Sequence, residues 1–183
     1  SKAVARCMQP DLLSGKFNLN STNSDDRRKA VALVKNEIDR SAKRGIKILA
    51  VCSGPDPSPG KRSEEKGLLA ESLGEICRSA AEKGVKVLIE TFDRDWDKKL
   101  LIGPMADCLD VVKEVRRKYS NLGIMWDLSH GPLLGETPDV LDIARDFLGH
   151  IHVGCAKKMG DRYVDTHPVF YRDGALNGVE EVA

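Results

Sequence analysis

The stretch AEKGVKVLIE, residues 81–90, decides the fold. It joins the end of a helical pattern, a glycine and a short apolar strand that stops at Glu90. The same order of features occurs in AKRGIKILAVC (42–52), SNLGIMWD (120–127) and DFLGHIHVGC (146–155). Four such joints in one chain predict a repeated helix–strand unit, which is typical of parallel α/β proteins.

The glycine of each joint is predicted to end a helix. Gly45, Gly84, Gly123 and Gly149 all follow amphipathic stretches, and glycine adopts the left-handed conformation of a helix end at little cost. Successive glycines are 39, 39 and 26 residues apart, about one strand, one helix and their loops. The spacing therefore supports a βα repeat.

The strands are continuous apolar runs, which is typical of parallel strands covered by other elements on both faces. AVARCM (3–8) is a plausible further strand and brings the total to about five. The length of 183 residues alone favours an open doubly wound sheet, since a closed eight-stranded barrel needs about 250. However, no phosphate-binding glycine loop follows any strand, and the polar residues described next favour the barrel type.

The overall composition excludes several classes of protein. Lysine and arginine number 29 against 28 acidic residues, so no excess positive charge is available to attract nucleic acid. No apolar run is long enough for a transmembrane helix, and no secretory signal is recognisable at the start. Five dispersed cysteines without a CxxC pair predict reduced thiols and a cytoplasmic protein.

Potential metal ligands follow three successive strands. Glu90 ends one strand, Asp127 ends the next, and the last strand carries His150 and His152. In parallel α/β proteins the carboxyl ends of the strands carry the functional site, which favours His152 as the working histidine and His150 as a packed one. Two carboxylates and an imidazole predict one divalent ion, preferably Mn²⁺, with Mg²⁺, Co²⁺ and Zn²⁺ as alternatives.

Further polar residues are expected to contact substrate. His130 lies three residues beyond Asp127 and can reach over the strand end, where it is expected to contact substrate or a second metal. Asp165 and His167 form a DxH pattern, and Lys157 and Arg162 follow the last strand, where they can bind hydroxyls or a phosphate. The stretch 90–104, rich in charge, is predicted to cover the substrate.

Taken together, these pieces resemble the xylose isomerase-like TIM barrel superfamily, particularly its sugar phosphate isomerases and epimerases. The resemblance rests on RRKAVALVKNEIDRSAKRGIKILAVCSG (27–54), VKVLIETF (85–92), GIMWDLSH (123–130), GHIHVG (149–154) and DTHPVFYRDGALNGVEEV (165–182), which occur in the family's order. It implies a single partial barrel over residues 1–183, with about five of the eight βα units that a barrel contains.

The resemblance also implies roles for individual residues. Glu90 is similar to the family's metal-binding glutamate that also moves a proton, and Asp127 and His152 to further metal ligands. His130 is similar to the histidine that contacts substrate, and 165–177 to the loop before the final strand. The implied reaction is a sugar isomerisation or epimerisation by proton transfer next to a carbonyl, through a metal-stabilised enediolate.

Members of the family normally contain a further strand that the matching pieces do not include. This final strand ends in a glutamate that is the fourth metal ligand and second acid/base. Glu180 and Glu181, on a predicted helix, are poor substitutes for it. The chain is therefore expected to be a fragment, or to be completed by further chain or by a homo-oligomer, with a small carbohydrate as its ligand.

Two alternatives remain open at the level of sequence. One is an apurinic/apyrimidinic endonuclease with three zinc ions, since Asp127–His130 and Asp165–His167 fit its pattern, although Cys52 stands where that family has a histidine. The other is a non-catalytic barrel subunit. One bound metal per chain favours the isomerase, three zinc ions the nuclease, and none the subunit.

Overall fold

The computed structural model describes residues 5–177 and contains two sheets. Five strands form the main sheet and two form a separate hairpin. The strands are β1 (Ala5–Cys7), β2 (Ile48–Val51), β3 (Lys86–Glu90), β4 (Leu122–Asp127), β5 (Leu148–His152), β6 (Lys157–Met159) and β7 (Arg162–Val164). The helices are α1 (Gln9–Leu12), α2 (Ser24–Lys43), α3 (Arg62–Ala81), α4 (Met105–Arg116), α5 (Gly131–Leu134) and α6 (Val140–Ala144).

The main sheet is parallel throughout, and its strands follow chain order from β1 to β5. A doubly wound sheet would reverse this order at a switch point, whereas a barrel adds each strand to the same edge. The five strands therefore form a curled half-barrel of the TIM type. The predicted strand 3–8 is confirmed as β1 over the part that the structure describes.

The two faces of this sheet pack differently. One face, which includes Val87, Ile89 and Ile124, packs against apolar residues of α2, α3 and α4 in one large core. On the other face Ala50, Leu88 and Met125 form a small cluster made of strand residues alone. Because side chains alternate along a strand, Glu90 projects from the same face as Leu88, and Asp127 from the same face as Met125.

The helix-end prediction is right at two glycines and wrong at two. Gly45 and Gly84 have positive φ values of 73° and 62° in the turns that follow α2 and α3. Gly123 and Gly149 instead lie inside β4 and β5. A Cβ on Gly149 would lie 2.4 Å from Leu88 Cδ2, and one on Gly123 would lie 2.9 Å from the same atom. These two glycines therefore make room for a side chain inside the half-barrel.

The chain beyond β5 carries little regular structure. The antiparallel pair β6–β7 is followed by an irregular segment to residue 177, which bridges back to Lys157 at Ala175. The prediction of a helix around Glu180 and Glu181 lies outside the described residues. Within residues 5–177 no helix is both long enough and apolar enough to cross a membrane.

Candidate metal and substrate site

Three potential ligands converge where β3, β4 and β5 end. Glu90, Asp127 and His152 each offer one ligand atom, and these three atoms all lie within 4.8 Å of one another. His152 Nδ1 lies 3.6 Å from Glu90 Oε1 and 3.6 Å from Asp127 Oδ2. The sheet register pairs Asp127 with His152 across β4 and β5, which fixes both on one edge. We refer to these three residues as the strand-end group.

Glu90 is the most constrained member of the strand-end group. Its side chain is buried, and its Oε2 accepts a short hydrogen bond from Gln9 Nε2. Burial raises the pKa of Glu90 to about 8, the hydrogen bond from Gln9 acts in the opposite direction, and the carboxylates of Asp127 and Asp165 raise the pKa further. Burial in a low-dielectric environment disfavours the charged form of a carboxyl group, so Glu90 binds its proton tightly.

Asp127 connects the strand-end group to His130. Asp127 Oδ1 accepts a 2.8 Å hydrogen bond from the backbone N–H of Ser129 and so caps the single 3₁₀ turn Leu128–His130. This turn carries His130 to a buried position, where its ring centroid lies 4.5 Å from that of Phe92. Burial lowers the pKa of His130, although Asp165 and Asp127 act in the opposite direction. His130 is therefore a neutral imidazole near neutral pH.

A second set of polar residues comes from loops. Lys98 lies between β3 and α4, and Asp165 and His167 follow β7. Asp165 lies between two histidines, since its Oδ1 is 3.0 Å from His167 Nε2 and its Oδ2 is 3.9 Å from His130 Nε2. Lys98 Nζ is 3.6 Å from Asp165 Oδ2. We refer to Lys98, Asp165 and His167 as the loop group.

The loop group is held by specific backbone features. His167 adopts a left-handed conformation with φ of 47°, and its ring lies against Gly154, where a Cβ would be 2.4 Å from Nδ1. The buried carboxylate of Asp93 accepts hydrogen bonds from three backbone N–H groups in the turn that ends at Lys98. Both loops are thus fixed next to the strand ends.

The strand-end group and the loop group line one pocket of about 390 Å³. His130, Gln9 and Phe92 line it as well. Of the residues predicted to contact substrate, His130, Asp165 and His167 therefore lie in the pocket. A larger cavity of about 670 Å³ lies between α3 and α4, and is lined by none of these residues.

Lys157 and Arg162 lie elsewhere. Both belong to the β6–β7 hairpin, where Lys157 is opposite Val164 and Arg162 is opposite Met159. Neither lines the 390 Å³ pocket, and Arg162 is exposed. In this arrangement the lysine that reaches the pocket is Lys98, from the stretch 90–104.

Sequence reasoning did not identify Gln9, Phe92 or Lys98. Gln9 follows the predicted first strand directly, so the rule that selected Glu90 and Asp127 also selects this residue. Phe92 and Lys98 lie in a loop whose course depends on the buried Asp93 carboxylate. No spacing in the sequence reveals that contact.

The donor set fits a divalent cation. Two carboxylates approach one imidazole nitrogen, and the two acidic side chains are almost fully buried. Two buried carboxylates facing each other repel unless a cation or a proton lies between them. Oxygen ligands with a single histidine suit Mn²⁺, Mg²⁺, Co²⁺ or Zn²⁺. Among residues 5–177 this is the one group of three or more His, Cys, Asp or Glu side chains that converges in this way.

Fold and site together define a class: a parallel βα half-barrel with a candidate metal-binding group at the carboxyl ends of its strands. The sequence profile of the xylose isomerase-like TIM barrel family matches residues 3–181. The chain therefore belongs to that family. Among curated protein sequences, none matches this chain.

Several solved structures share the fold. D-psicose 3-epimerase with D-tagatose from Clostridium cellulolyticum H10 is 24% identical, with a TM-score of 0.66 over 76% of this chain and 49% of its own. A D-tagatose 3-epimerase-like protein is 22% identical, with a TM-score of 0.72 over 87% and 59%. The IOLI protein with a binding zinc atom is 15% identical, with a TM-score of 0.76 over 98% and 60%. The chain thus spans about half to three fifths of the length of these structures.

Proposed function

We propose that this chain carries the metal and substrate site of a sugar, or sugar phosphate, isomerase or epimerase that depends on a divalent metal. The observation that carries the proposal is the strand-end group, whose three ligand atoms lie within 4.8 Å of one another beside a pocket of about 390 Å³. Membership of the xylose isomerase-like family and the sugar epimerases among the similar structures support the same class.

Glu90, Asp127 and His152 would hold the metal, with Mn²⁺ as the preferred ion and Mg²⁺, Co²⁺ or Zn²⁺ as alternatives. When bound, a divalent ion supplies Lewis-acid stabilisation for negative charge that develops on a carbonyl oxygen. The carboxylates of Glu90 and Asp127 are almost fully buried, and burial strengthens their interaction with a cation.

Glu90 is the proposed base. The reaction needs a group that removes a proton from the carbon next to the carbonyl, leaving an enediolate. General bases work best when their pKa lies near the working pH. In the metal-free protein burial raises the pKa of Glu90 to about 8, and a bound cation acts in the opposite direction. His130, held neutral by burial, would contact a substrate hydroxyl from the same pocket.

The loop group would complete the substrate contacts. Asp165 and His167 line the pocket beside His130, and Lys98 adds a cation at the same wall. Lys157 and Arg162 are proposed as contacts to more distant hydroxyls or a phosphate, since their hairpin directly precedes Asp165. The proposed ligand is a small carbohydrate, and further chain or a homo-oligomer is proposed to complete the barrel.

The nuclease alternative is less well supported. A three-zinc site needs three converging ligand sets, whereas residues 5–177 contain one. Burial raises the pKa of the Cys52 thiol, and the charge of Glu90 raises it further, so this thiol stays protonated and is a poor zinc ligand. The chain also lacks the excess of basic residues that is typical of DNA-binding proteins.

We further propose a cytoplasmic location, with which five free cysteines accord.

The proposal is tested by proton exchange, which needs the metal and one base but no second acid/base. Mn²⁺-loaded protein is incubated with a panel of ketoses and ketose phosphates in D₂O, and NMR follows deuterium uptake next to the carbonyl. We expect uptake with at least one sugar, and a loss of roughly 100-fold or more in Glu90→Gln, since general bases contribute about 10²–10⁴-fold. Glu75→Gln, an exposed change on α3, is the matched control and should exchange at the wild-type rate.

Metal analysis completes the test. One bound ion per chain supports the proposal, and three zinc ions would favour the nuclease. A protein that binds no Mn²⁺ and exchanges no proton would favour a non-catalytic subunit. Full exchange in Glu90→Gln would overturn the role of Glu90.

A further inference from the structure

Gln9 donates a hydrogen bond to Glu90. Within residues 5–177 no other side chain outside the strand-end group is hydrogen-bonded to this carboxyl group. Gln9 begins α1, two residues after β1 ends at Cys7. Its Nε2 donates to Glu90 Oε2 across 81 positions of sequence, and both side chains are buried. The contact therefore links the start of α1, just beyond β1, to the end of β3, although β2 lies between these two strands.

The chemistry of the two groups fixes their orientation. As a metal ligand Glu90 must be ionised, and an ionised carboxylate only accepts hydrogen bonds, so the amide then presents its NH₂ group to Glu90. This leaves Glu90 Oε1 as the oxygen on the side of the metal ligands, 3.6 Å from His152 Nδ1. Gln9 thus holds one carboxylate oxygen and leaves the other toward His152.

The other end of the amide has no partner. Gln9 Oε1 is buried and accepts no hydrogen bond from the described residues. A buried carbonyl without a donor costs about 1–3 kcal/mol, so an apolar side chain would suit this position better for stability alone. Only the NH₂ group of Gln9 has a hydrogen-bond partner, and that partner is the proposed base. The effect of Gln9 on Glu90 therefore explains why a polar residue occupies this buried position.

We infer that Gln9 is a positioning residue that holds Glu90 with one carboxylate oxygen directed at the metal and prevents the carboxylate from turning both oxygens toward it. The inference rests on the proposed function of Glu90. Side chains that orient metal ligands in this way typically contribute about 10- to 100-fold to metal affinity.

A double-mutant cycle on Mn²⁺ affinity tests the inference. The full 183-residue chain is prepared as wild type, Gln9→Met, Glu90→Met and the double variant, and free Mn²⁺ is measured by electron paramagnetic resonance. Methionine matches both side chains in length and removes their polar atoms. We expect Gln9→Met to weaken Mn²⁺ binding by roughly 10- to 100-fold in the wild-type background. In the Glu90→Met background the same change should weaken it by less than about twofold, because contacting residues are not additive.

A control separates positioning from general damage to α1. Leu12→Met lies on the same helix, packs in the core and should leave Mn²⁺ affinity within about twofold of wild type. In the exchange assay, Gln9→Met should lower the maximal rate with an unchanged half-saturating sugar concentration, since Gln9 acts through Glu90.

Failure of the inference differs from failure of the proposed function. If the wild type binds Mn²⁺ and Gln9→Met binds it equally well, or loses the same factor in both backgrounds, the inference is wrong and the proposed function stands. If the wild type binds no Mn²⁺, the proposed function fails and the inference fails with it. Circular dichroism of each variant identifies one that does not fold, and Gln9→Leu then takes the place of Gln9→Met.

Discussion

The strand-end group and the loop group lie in the same pocket but are built differently. Glu90, Asp127 and His152 end three hydrogen-bonded parallel strands, so the register of the sheet sets their separations. Lys98 and Asp165 meet because the Asp165 backbone N–H and the Lys98 ammonium group both contact the Asp97 carboxylate. Lys98 also contacts the carboxylate of Asp165 directly. The strand-end group is thus placed by sheet pairing, whereas the loop group is placed by individual side-chain and backbone contacts.

The largest expected effect concerns the burial of the strand-end group. The folded protein binds the Glu90 proton more tightly than the unfolded chain does, because burial raises the folded pKa to about 8. The resulting stability is fully present below about pH 4.5 and is lost as the pH rises toward 8, by about 1.4 kcal/mol for each pKa unit. Urea unfolding of EDTA-treated protein between pH 5 and 9 measures this decline.

Glu90→Gln removes the titrating group and should flatten that decline. If the free energies of unfolding of wild type and variant change in parallel across this pH range, burial does not raise the pKa of Glu90 and the prediction is wrong.

The next largest effect is expected in metal affinity, which should depend on the strand-end group and not on the loop group. Asp127→Asn keeps an oxygen that can accept from Ser129 N–H but removes the negative charge of a ligand. Mn²⁺ affinity should therefore fall by at least the roughly 10- to 100-fold that is typical when a residue supporting a ligand is lost. Asp165→Asn, a matched change in the loop group, should alter Mn²⁺ affinity by less than about threefold. Isothermal titration of both variants with Mn²⁺ makes the comparison, and equal losses would show that the two groups form one metal site.

The packing below the strand-end group gives a smaller effect. Gly149→Ala places a Cβ 2.4 Å from Leu88 Cδ2, so the leucine must move inside the half-barrel, at a cost of about 1–3 kcal/mol. Gly67→Ala on α3 meets nothing within 4 Å and should instead stabilise the helix by about 0.5–1 kcal/mol. Thermal unfolding of both variants checks the opposite signs, and a stabilised Gly149→Ala would contradict the close packing of Leu88.

The smallest effect is expected where the stretch 90–104 packs against β7. Trp96 packs edge-on against Tyr163 with ring centroids 4.6 Å apart, a contact worth about 0.5–1.5 kcal/mol beyond its buried area. Trp96→Ala should speed amide hydrogen exchange in β6 and β7 several-fold and leave Mn²⁺ affinity within about twofold of wild type. Tyr163→Phe keeps both rings and serves as the control. A large loss of metal affinity in Trp96→Ala would mean that the loops also support the strand-end group.

The glycines show how far sequence patterns predict this fold. Four glycines looked alike in sequence, and the prediction of a helix end is right at Gly45 and Gly84, where a positive φ is needed. Gly123 and Gly149 are needed for a different reason, the bulk of Leu88 on a neighbouring strand. Backbone conformation is a local property, whereas the position of Leu88 depends on the pairing of β3 with β4 and of β4 with β5.

The candidate site is likewise predictable from the sequence only in part. The convergence of Glu90, Asp127 and His152 follows from sequence, because parallel strands of similar length end at one edge. The contact between Gln9 and Glu90 does not follow from it, since it joins residues 81 positions apart across an intervening strand.

By itself the sequence determined the βα repeat, the parallel strands and the three residues at their carboxyl ends. Each of these depends on local periodicity and on which residue type stands where an apolar run stops. The tertiary structure decided that the strands follow one another in a half-barrel and that all three long helices pack on one face. It also decided that Lys98, and not Lys157 or Arg162, lines the pocket, because loop paths are set by contacts such as those of the Asp93 carboxylate.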